Sequence, residues 1–325
     1  MKIGVKGAGV AGLALAHELV TRGAQVELLE KHQDLSASAS WLAGGMLAPW
    51  CERENAEEDV LRFGRSSISW WGEVLPGHVR RNGTLVVAAP RDAGELSRFA
   101  SRTSGFTWLD REALGTLEPD LAGRFAKGLY FAEEAHIDPR QALKSLRAKV
   151  SESGARVRFG TQDFTSAADL VVDCTGMASP DPNLRPVRGE MLILHAPDVT
   201  LSRPVRFLHP RIPVYVVPRD NGVFMVGATM IESSDRGPVS VRSTMELLNA
   251  AYSLHPGFAE AKIIETGAGL RPAYPDNLPR LAWTGKTLSL NGFYRHGFLL
   301  APHFAIEAAS GIMQHLQEKS LESNH

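Results

Sequence analysis

The first thirty residues constrain the fold of this 325-residue chain more than any other stretch. The run KIGVKGAGVAGLALAHELVTRGAQVELLEK predicts a strand through Val5, a turn over residues 7–12, a helix to about Arg22 and a second strand ending at Glu30. A G-x-G-x-x-G pattern that follows a strand, opens a helix and precedes an acid by 18 residues is typical of a dinucleotide-binding βαβ unit. A parallel α/β unit without a ligand is the alternative.

The glycines of this turn have separate physical roles in such a unit. Gly7 makes the turn, Gly9 lets the backbone approach a pyrophosphate, and Gly12 lets the helix pack closely on the strand. The pyrophosphate then meets the free N–H groups of the helix, and Glu30 can accept hydrogen bonds from ribose hydroxyls. The cofactor-binding residues predicted here are Gly7, Gly9, Val10, Ala11, Gly12, Glu30 and Lys31.

Two further segments indicate which dinucleotide is bound. Residues 36–50, SASASWLAGGMLAPW, suit the close passage of backbone along a large flat cofactor, although a flexible surface loop could have the same composition. Residues 168–176, ADLVVDCTG, predict a buried parallel strand that ends at a ligand crevice. Contacts so widely spread along the chain favour a flavin dinucleotide over a nicotinamide. The residues predicted to contact it are Ser38, Ser40, Ala43, Gly44, Gly45, Met46, Thr175 and Gly176.

Composition argues against several other classes of protein. The formal charge of -1, without a basic cluster interleaved with aromatic residues, argues against nucleic-acid binding. No apolar run approaches the roughly 20 residues that cross a bilayer, and the chain begins with a strand rather than a signal peptide. We therefore expect a cytoplasmic protein without a membrane partner. Cys51 and Cys174 are the only cysteines and suit neither a disulfide framework nor a zinc site, so no metal is expected.

Ordered motifs along nearly the whole chain carry a family resemblance. After the N-terminal fingerprint they are SWLAGGMLAP, RRNGTLVVA, EAHIDPR, LRPVRGEM, VYVVPR with VGATM, GAGLRP and GFYRHGFLLAP. This series resembles the FAD-dependent amine oxidases related to D-amino-acid oxidase, and it is most similar to the glycine oxidases of thiamin biosynthesis. The resemblance implies non-covalently bound FAD, a small amine or amino acid and oxygen as reactants, and a capacity to form homo-oligomers.

The predicted fold class is α/β (α+β), with a Rossmann-type FAD-binding domain and an interleaved antiparallel-sheet substrate domain. Strand-rich pieces such as GEMLILHA and GVFMVGATM indicate the antiparallel sheet. The FAD-binding domain is expected to be discontinuous and to comprise residues 1–75, 139–186 and 267–325. The substrate-binding domain then comprises residues 76–138 and 187–266.

An amino acid that is oxidised at a flavin needs a group that orients it. A guanidinium grips a carboxylate in a planar, bidentate way, and Arg271 in GAGLRP stands alone in a glycine-rich apolar stretch. The resemblance assigns Arg271 to the substrate carboxylate and to the cofactor site. It gives Tyr215 a second hydrogen bond to that carboxylate and Met230 a place in the pocket wall. Without the resemblance, Arg271 could be a surface arginine, and Tyr215 and Met230 could be core residues.

The stretch GFYRHGFLLAP predicts a helix N-terminus at the cofactor. Apolar spacing, with Pro302 in the first turn, predicts a helix from about Ala301 to Gln317. Such an N-terminus favours the negative charge that develops on a flavin as it accepts a hydride. Phe164 is expected near the adenine. The residues predicted at the flavin are Arg295, His296, Gly297, Phe298, Leu299 and Leu300, with Arg295 also close to the substrate.

Some residues depart from the family pattern. His296 stands where many relatives have asparagine, and Trp41 and Leu42 stand where small residues are common. No residue is assigned as a general base, and His136 in EAHIDPR is expected to help join the two domains.

These residues predict catalysis by orientation and electrostatics. Hydride transfer from a neutral amine gives an imine, which water hydrolyses to a 2-oxo acid and ammonia, while oxygen is reduced to hydrogen peroxide. Glycine, sarcosine and small D-amino acids are the alternative substrates. The alternative functions are a D-amino-acid or amine dehydrogenase that passes electrons to a quinone or protein partner, an NAD-dependent dehydrogenase, and a flavin-binding protein without turnover.

Overall fold

The computed structural model describes residues 1–54, 56–209, 213–284 and 287–322. The strands in chain order are β1 (Lys2–Lys6), β2 (Gln25–Glu30), β3 (Met46–Leu47), β4 (Val79–Arg80), β5 (Thr84–Ala88), β6 (Thr107–Asp110), β7 (Lys127–Phe131), β8 (Ala135–Ile137), β9 (Arg156–Phe159), β10 (Leu170–Asp173), β11 (Arg185–His195), β12 (Val205–Leu208), β13 (Val214–Pro218), β14 (Val223–Gly227), β15 (Ile231–Glu232), β16 (Lys262–Ala273), β17 (Arg280–Thr284) and β18 (Thr287–Asn291). The helices are α1 (Val10–Thr21), α2 (Pro49–Arg53), α3 (Glu58–Gly64), α4 (Ser67–Val74), α5 (Gly94–Ala100), α6 (Arg111–Leu117), α7 (Pro139–Glu152), α8 (Val241–Leu254) and α9 (Gly297–Glu322).

One sheet is largely parallel and contains the N-terminal βαβ unit. Its strand order is β17-β18-β10-β1-β2-β9, and β17 runs antiparallel to β18 at one edge. β10 lies parallel to β1, as the ADLVVDCTG stretch predicts. Parallel strands end at the same edge of a sheet, so the C-terminal ends of β1, β2 and β10 open on one crevice.

Helix α1 is buried almost all round. Every residue from Val10 to Leu19 is buried, which is the pattern of a helix enclosed by other elements rather than lying on the surface. α1 contacts both α7 and α9, and the three helices share one apolar core with the parallel sheet. Burial of this core fixes the N-terminus of α1 relative to the strand ends.

The second sheet is mostly antiparallel. Its order is β15-β11-β14-β13-β12-β5-β7-β6, and β16 pairs with the other edge of β11. β5 and β12 form a parallel pair within it. Helix α8 contacts β11, β13 and β14 and closes a second apolar core, in which Leu247 and Leu254 join Leu192 and Val226.

A short third sheet connects distant parts of the chain. Its order is β3-β8-β4, and His136 of β8 lies opposite Met46 and Arg80. Both ring nitrogens of His136 are buried without a hydrogen-bond partner in the described part of the chain. Burial lowers the pKa of His136 to about 3, so the ring is neutral at physiological pH. This location supports a joining role for His136, which stays a prediction.

The division of the chain into two domains also stays a prediction. The expected boundary between residues 186 and 187 lies inside β11, and the boundary between residues 266 and 267 lies inside β16. These two strands pair with each other along their length. Two continuous strands therefore cross the expected domain boundaries.

Candidate active site

A cavity of about 710 Å³ is lined by residues of both large sheets. The ends of β1, β2 and β10 and the N-terminus of α1 form one part of its wall, and β11, β13, β16 and the N-terminus of α9 form another. The predicted site residues that line it are Gly7, Gly9, Val10, Ala11, Glu30, Lys31, Ser38, Ser40, Ala43, Gly44, Gly45, Met46, Thr175, Gly176, Tyr215, Met230, Arg271, Arg295, His296, Gly297, Phe298 and Leu299.

Three predicted cofactor contacts lie outside the cavity wall. Phe164 is placed differently from the prediction, because its ring packs over Gly4 of β1, and Thr161 and Gln162 line the cavity instead. Leu300 lies in the apolar core behind the cavity wall, and its predicted contact with the flavin stays a prediction. Gly12 supports the cavity from behind: a Cβ there would overlap the carbonyl oxygen of Gly7, so close helix–strand packing excludes a larger residue.

The turn before α1 can hold a pyrophosphate. Gly7 has φ +97°, which favours glycine, and a Cβ at this position would lie 2.5 Å from the carbonyl oxygen of Cys174. Gly9, the residue before α1, has no side chain of its own to cap the helix. A helix N-terminus that a ligand can approach over a glycine fits an anionic phosphate group.

Two polar side chains complete this part of the cavity. Glu30 at the end of β2 accepts hydrogen bonds from the backbone N–H groups of Ala8 at 2.9 Å and His32 at 3.1 Å. Ser40 Oγ accepts one from Val10 N at 3.1 Å. A carboxylate beside the strand end and a hydroxyl at the helix end match the ribose and pyrophosphate of a dinucleotide, so the residues fit FAD.

The small-residue loop lies along the cavity between these two ends. A buried arginine, Arg219 of the antiparallel sheet, donates from Nη2 to the carbonyl oxygen of Gly44 at 2.7 Å. Leu42 lies against β16, where a Cβ on Gly267 or Gly269 would come within 2.8 or 3.0 Å of its methyl groups. Glycines in β16 therefore make the room that the bulky Leu42 needs. Trp41 lies beside α7, with its ring centroid 5.1 Å from Cζ of Arg140.

Helix α9 begins four residues earlier than the sequence predicts and ends at Glu322 rather than Gln317. Pro302 therefore lies inside the helix, where it has no N–H to give the carbonyl of Phe298. Two side chains of α4 satisfy that carbonyl instead: Trp71 donates from Nε1 at 2.8 Å and Ser67 from Oγ at 3.2 Å. This tertiary compensation allows the helix to continue back to Gly297 at the cavity.

Arg271 has a free guanidinium face in the cavity. Its Nη1 donates to the carbonyl oxygen of Thr229 at 2.9 Å, and no carboxylate of the described residues forms an ion pair with it. Burial, together with the nearby charge of Arg295, lowers the pKa of Arg271 to about 10, so it stays charged at neutral pH. A buried cation without a counter-ion favours an anionic ligand.

Glu52 is one of the charged residues of the cavity wall, with Arg206, that the sequence analysis missed. It lies on α2 and is 6% exposed. Its Oε2 is 3.0 Å from Arg295 Nη2 and 3.5 Å from His296 Nδ1, and its Oε1 is 3.9 Å from Arg206 Nη1. The available sequence signal was weak: one acid directly after the apolar run MLAPWC.

Tyr215 lines the cavity, and its hydroxyl is hydrogen-bonded to Glu52. Its hydroxyl donates to Glu52 Oε1 and accepts a hydrogen bond of 2.6 Å from Arg206 Nη1. A tyrosine hydroxyl has one proton, so in this arrangement it cannot also donate to a substrate carboxylate. The predicted role of Tyr215 therefore does not fit this arrangement, because Glu52 already accepts the one hydrogen bond that the hydroxyl can donate.

Met230 lies at the mouth of the cavity and is 47% exposed. Its sulfur is 3.4 Å from Arg295 Nη1 and 3.6 Å from the Tyr294 hydroxyl. Arg295 therefore lies between Glu52 inside the cavity and Met230 at its mouth.

The protonation states in this region follow from burial and neighbouring charge. Burial raises the pKa of Glu52, but Arg295 and the other neighbouring cations outweigh it and lower the pKa to about 2. Burial lowers the pKa of His296 to about 4. At neutral pH Glu52 is thus an anion and His296 is neutral, so neither is poised to exchange a proton.

The described ranges contain neither a metal site nor a membrane-spanning helix. Within them, no group of three or more His, Cys, Asp or Glu side chains could hold a metal ion. Among the same residues, no helix combines the length and the apolar composition needed to cross a bilayer.

The known proteins that this chain resembles support the fit of the cavity to FAD. Residues 2–310 match the family model described as FAD dependent oxidoreductase. The chain is 58% identical over 316 residues to a thiamine biosynthesis oxidoreductase, ThiO, of Rhizobium etli, which covers 96% of this chain and 97% of that protein. It is 27% identical over 335 residues to a glycine oxidase of Bacillus licheniformis, with 92% and 89% covered.

The fold is also shared with a solved structure. The crystal structure of glycine oxidase from Geobacillus kaustophilus superimposes with a TM-score of 0.80 at 24% identity and covers 94% of this chain and 93% of that one. The expected fold class, family resemblance and FAD cofactor are confirmed by these comparisons.

Proposed function

The chain belongs to the family of FAD-dependent oxidoreductases, and from this premise we propose that it oxidatively deaminates glycine or another small amino acid. The relatives at 58% and 27% identity, a thiamine biosynthesis oxidoreductase and a glycine oxidase, support this substrate class. The same likeness supports a role in forming the thiazole of thiamin. The reaction converts an amino acid, oxygen and water to a 2-oxo acid, ammonia and hydrogen peroxide.

The free guanidinium of Arg271 is the observation that carries the proposal. The described part of the cavity wall holds four arginines: Arg236 is exposed, and Arg206 and Arg295 are both paired with Glu52. Arg271 is left to receive the carboxylate of an amino acid in a bidentate grip. Tyr215 then acts indirectly, by holding Glu52, rather than by contacting the carboxylate.

The remaining residues orient the reactants and stabilise charge. Bound FAD would supply the acceptor for a hydride from the α carbon of the amine. The N-terminus of α9, at Gly297 and Phe298, offers N–H groups and a positive dipole end to the negative charge that this transfer creates. No side chain is needed as a base if the amine arrives neutral. The low pKa values of Glu52 and His296 agree with a mechanism that has no general base.

An anaerobic titration of the purified yellow protein tests the proposal. Glycine, sarcosine and D-alanine are added in turn while the flavin absorbance is followed, and air is admitted last. Bleaching by one of them, followed by recovery with formation of hydrogen peroxide, is the expected result. Bleaching without rapid recovery would instead indicate a dehydrogenase with a separate electron acceptor, and no bleaching by any of the three would reject the proposed substrate class.

Arg271→Lys separates substrate binding from cofactor binding. Lysine keeps the charge but loses the planar pair of donors, so KM for the amine should rise about tenfold or more while FAD stays bound. Arg91→Lys, on the exposed surface, is the matched control and should leave KM unchanged. The cytoplasmic location and homo-oligomeric state expected from the sequence stay predictions that fractionation and light scattering can test.

A further inference from the structure

The substrate end of the cavity has an uneven charge balance. Three guanidinium groups, those of Arg206, Arg271 and Arg295, line the wall. Glu52 lies within ion-pair distance of two of them, at 3.0 Å from Arg295 and 3.9 Å from Arg206. Arg271 is the member of this arginine cluster that has no carboxylate partner among the described residues.

Arg206 is neutralised from its other side as well. Glu54 Oε2 lies 3.4 Å from Arg206 Nη2, and Glu54 is not part of the cavity wall. Glu54 also forms an ion pair with Arg102 at 3.3 Å, but that arginine side chain is 52% exposed, so solvent screens its charge. The three arginines of the cluster and the two acids therefore leave one uncompensated positive charge, that of Arg271. Asp235 and Arg236, of opposite sign, also line the wall and leave this balance unchanged.

This balance limits which ligands the cavity can hold. One carboxylate on Arg271 makes the arginine cluster neutral. A second acidic group would bring an uncompensated negative charge into a buried region. This is costly in free energy unless a neighbouring cation is free to pair with that group. Arg295 is the nearest candidate, because its side chain reaches towards Met230 at the cavity mouth, but Glu52 already holds it.

We propose that Glu52 is a specificity-determining residue that restricts the cavity to ligands with one acidic group by pairing with Arg295. This inference rests on the proposed amino-acid oxidase function. Removing the charge of Glu52 should free Arg295 for a second carboxylate. The ligand class that then gains affinity is the dicarboxylates.

Binding measured by the flavin absorbance change tests the inference without turnover. Glycolate serves as the monocarboxylate and malonate as the dicarboxylate, each titrated into the FAD-bound wild type and Glu52→Gln at pH 8. We expect the ratio of the malonate Kd to the glycolate Kd to fall at least about tenfold in Glu52→Gln. An unchanged ratio would overturn the proposal.

Glu54→Gln is the matched control, because it removes the same charge from the same arginine, Arg206, on the side away from the cavity. It also removes the partner of Arg102, which is half exposed and lies outside the cavity wall. Its ratio should stay within about threefold of the wild type. A shift as large as that of Glu52→Gln would show a general effect of net charge and would also overturn the proposal. The double variant Glu52→Gln/Arg295→Gln restores the original balance and should recover the wild-type ratio.

The loss of one partner from a buried ion pair can prevent folding. If Glu52→Gln does not retain FAD, Arg295→Gln carries the test, since removing this cation takes away the net positive charge that a bound monocarboxylate would neutralise. Glycolate should then bind at least about tenfold more weakly than in the double variant. Equal glycolate affinities in these two variants would contradict the proposal.

Turnover distinguishes this inference from the proposed function. Sarcosine and iminodiacetate share the glycine unit and differ by one carboxylate on the nitrogen substituent. The ratio of kcat/KM for iminodiacetate over sarcosine should rise in Glu52→Gln. If the wild type oxidises no amine, the proposed function fails, whereas the glycolate and malonate titrations still test the charge selectivity of Glu52.

Discussion

Gly189 of β11 lies directly against the guanidinium of Arg271 of β16, so closely that a Cβ at residue 189 would overlap Nη2 and Cζ of the arginine. Sequence reasoning found Arg271 but not the glycine that gives its side chain room. The two residues lie on paired strands, two positions apart in register. The position of Arg271, the proposed substrate-binding residue, therefore depends on residue 189 having no side chain.

Gly189→Ala should displace Arg271 and weaken substrate binding without unfolding the protein. The atoms in the way belong to the flexible end of a side chain, so the arginine can move while the strands stay paired. We expect KM for the amine to rise about tenfold, which corresponds to about 1.4 kcal/mol. Steady-state kinetics and the melting temperature check this together. Gly94→Ala, where a Cβ meets nothing within 4 Å, is the control, and an equal rise in its KM would contradict the explanation.

Gly12→Ala should abolish FAD binding or folding. A Cβ there overlaps the carbonyl oxygen of Gly7, a backbone atom that cannot move without opening the turn before α1. Gly311→Ala in α9 provides the contrast, because a Cβ there meets nothing within 4 Å and alanine favours a helix by about 0.5–1 kcal/mol over glycine. The flavin content of the purified variants measures the difference. Full flavin occupancy in Gly12→Ala would show that the turn tolerates the methyl group.

Glu134 should make the protein less stable as pH rises from about 4.5 to about 7. Burial raises the pKa of this carboxyl from 4.5 to about 7, and its Oε1 accepts a hydrogen bond of 2.7 Å from Cys51 N near the start of α2. Within that window the folded protein keeps a proton that the unfolded chain has released, so up to about 3 kcal/mol of stability is lost as pH rises through it.

Glu134→Gln removes this titration. The free energy of unfolding of Glu134→Gln minus that of the wild type should therefore be larger at pH 8 than at pH 5, since the variant is spared the loss of stability. Denaturant unfolding at both pH values, with saturating FAD, measures the comparison. The same difference between the two proteins at both pH values would rule out a titrating Glu134.

Trp71→Phe should destabilise the N-terminus of α9. The change removes the 2.8 Å hydrogen bond to the carbonyl of Phe298, which Pro302 leaves without its helical donor. We expect a loss of about 1 kcal/mol, since Ser67 still donates at 3.2 Å. In a Pro302→Ala background the helix can supply its own N–H, so the cost of Trp71→Phe should be smaller. A double-mutant cycle of unfolding free energies measures this coupling, and additive effects would argue against it.

The local sequence determined the cofactor end of this protein. The strand, glycine turn and helix of residues 2–30 form from neighbours in the chain, and the steric need of Gly12 comes from Gly7 in the same turn. The positive φ of Gly7 is likewise local, although the carbonyl oxygen that a Cβ there would meet belongs to the distant Cys174. The C-terminal motif was also readable, since Arg295, His296, Gly297, Phe298 and Leu299 all line the cavity. The position of Phe164 could not be read in this way. The direction of a single ring in a loop is set by what the ring packs against, which here is Gly4.

Only the tertiary structure decided the charge arrangement at the substrate end. Glu52, the cross-strand pair Arg206 and Tyr215, and Arg295 come from three distant parts of the chain. No local pattern predicts that one buried acid meets all of them. The start of α9 was decided in the same way, because Trp71 and Ser67 satisfy a carbonyl that Pro302 cannot. Side-chain pairing in a cavity depends on distances between separate elements, and these exist only after the two sheets have packed together.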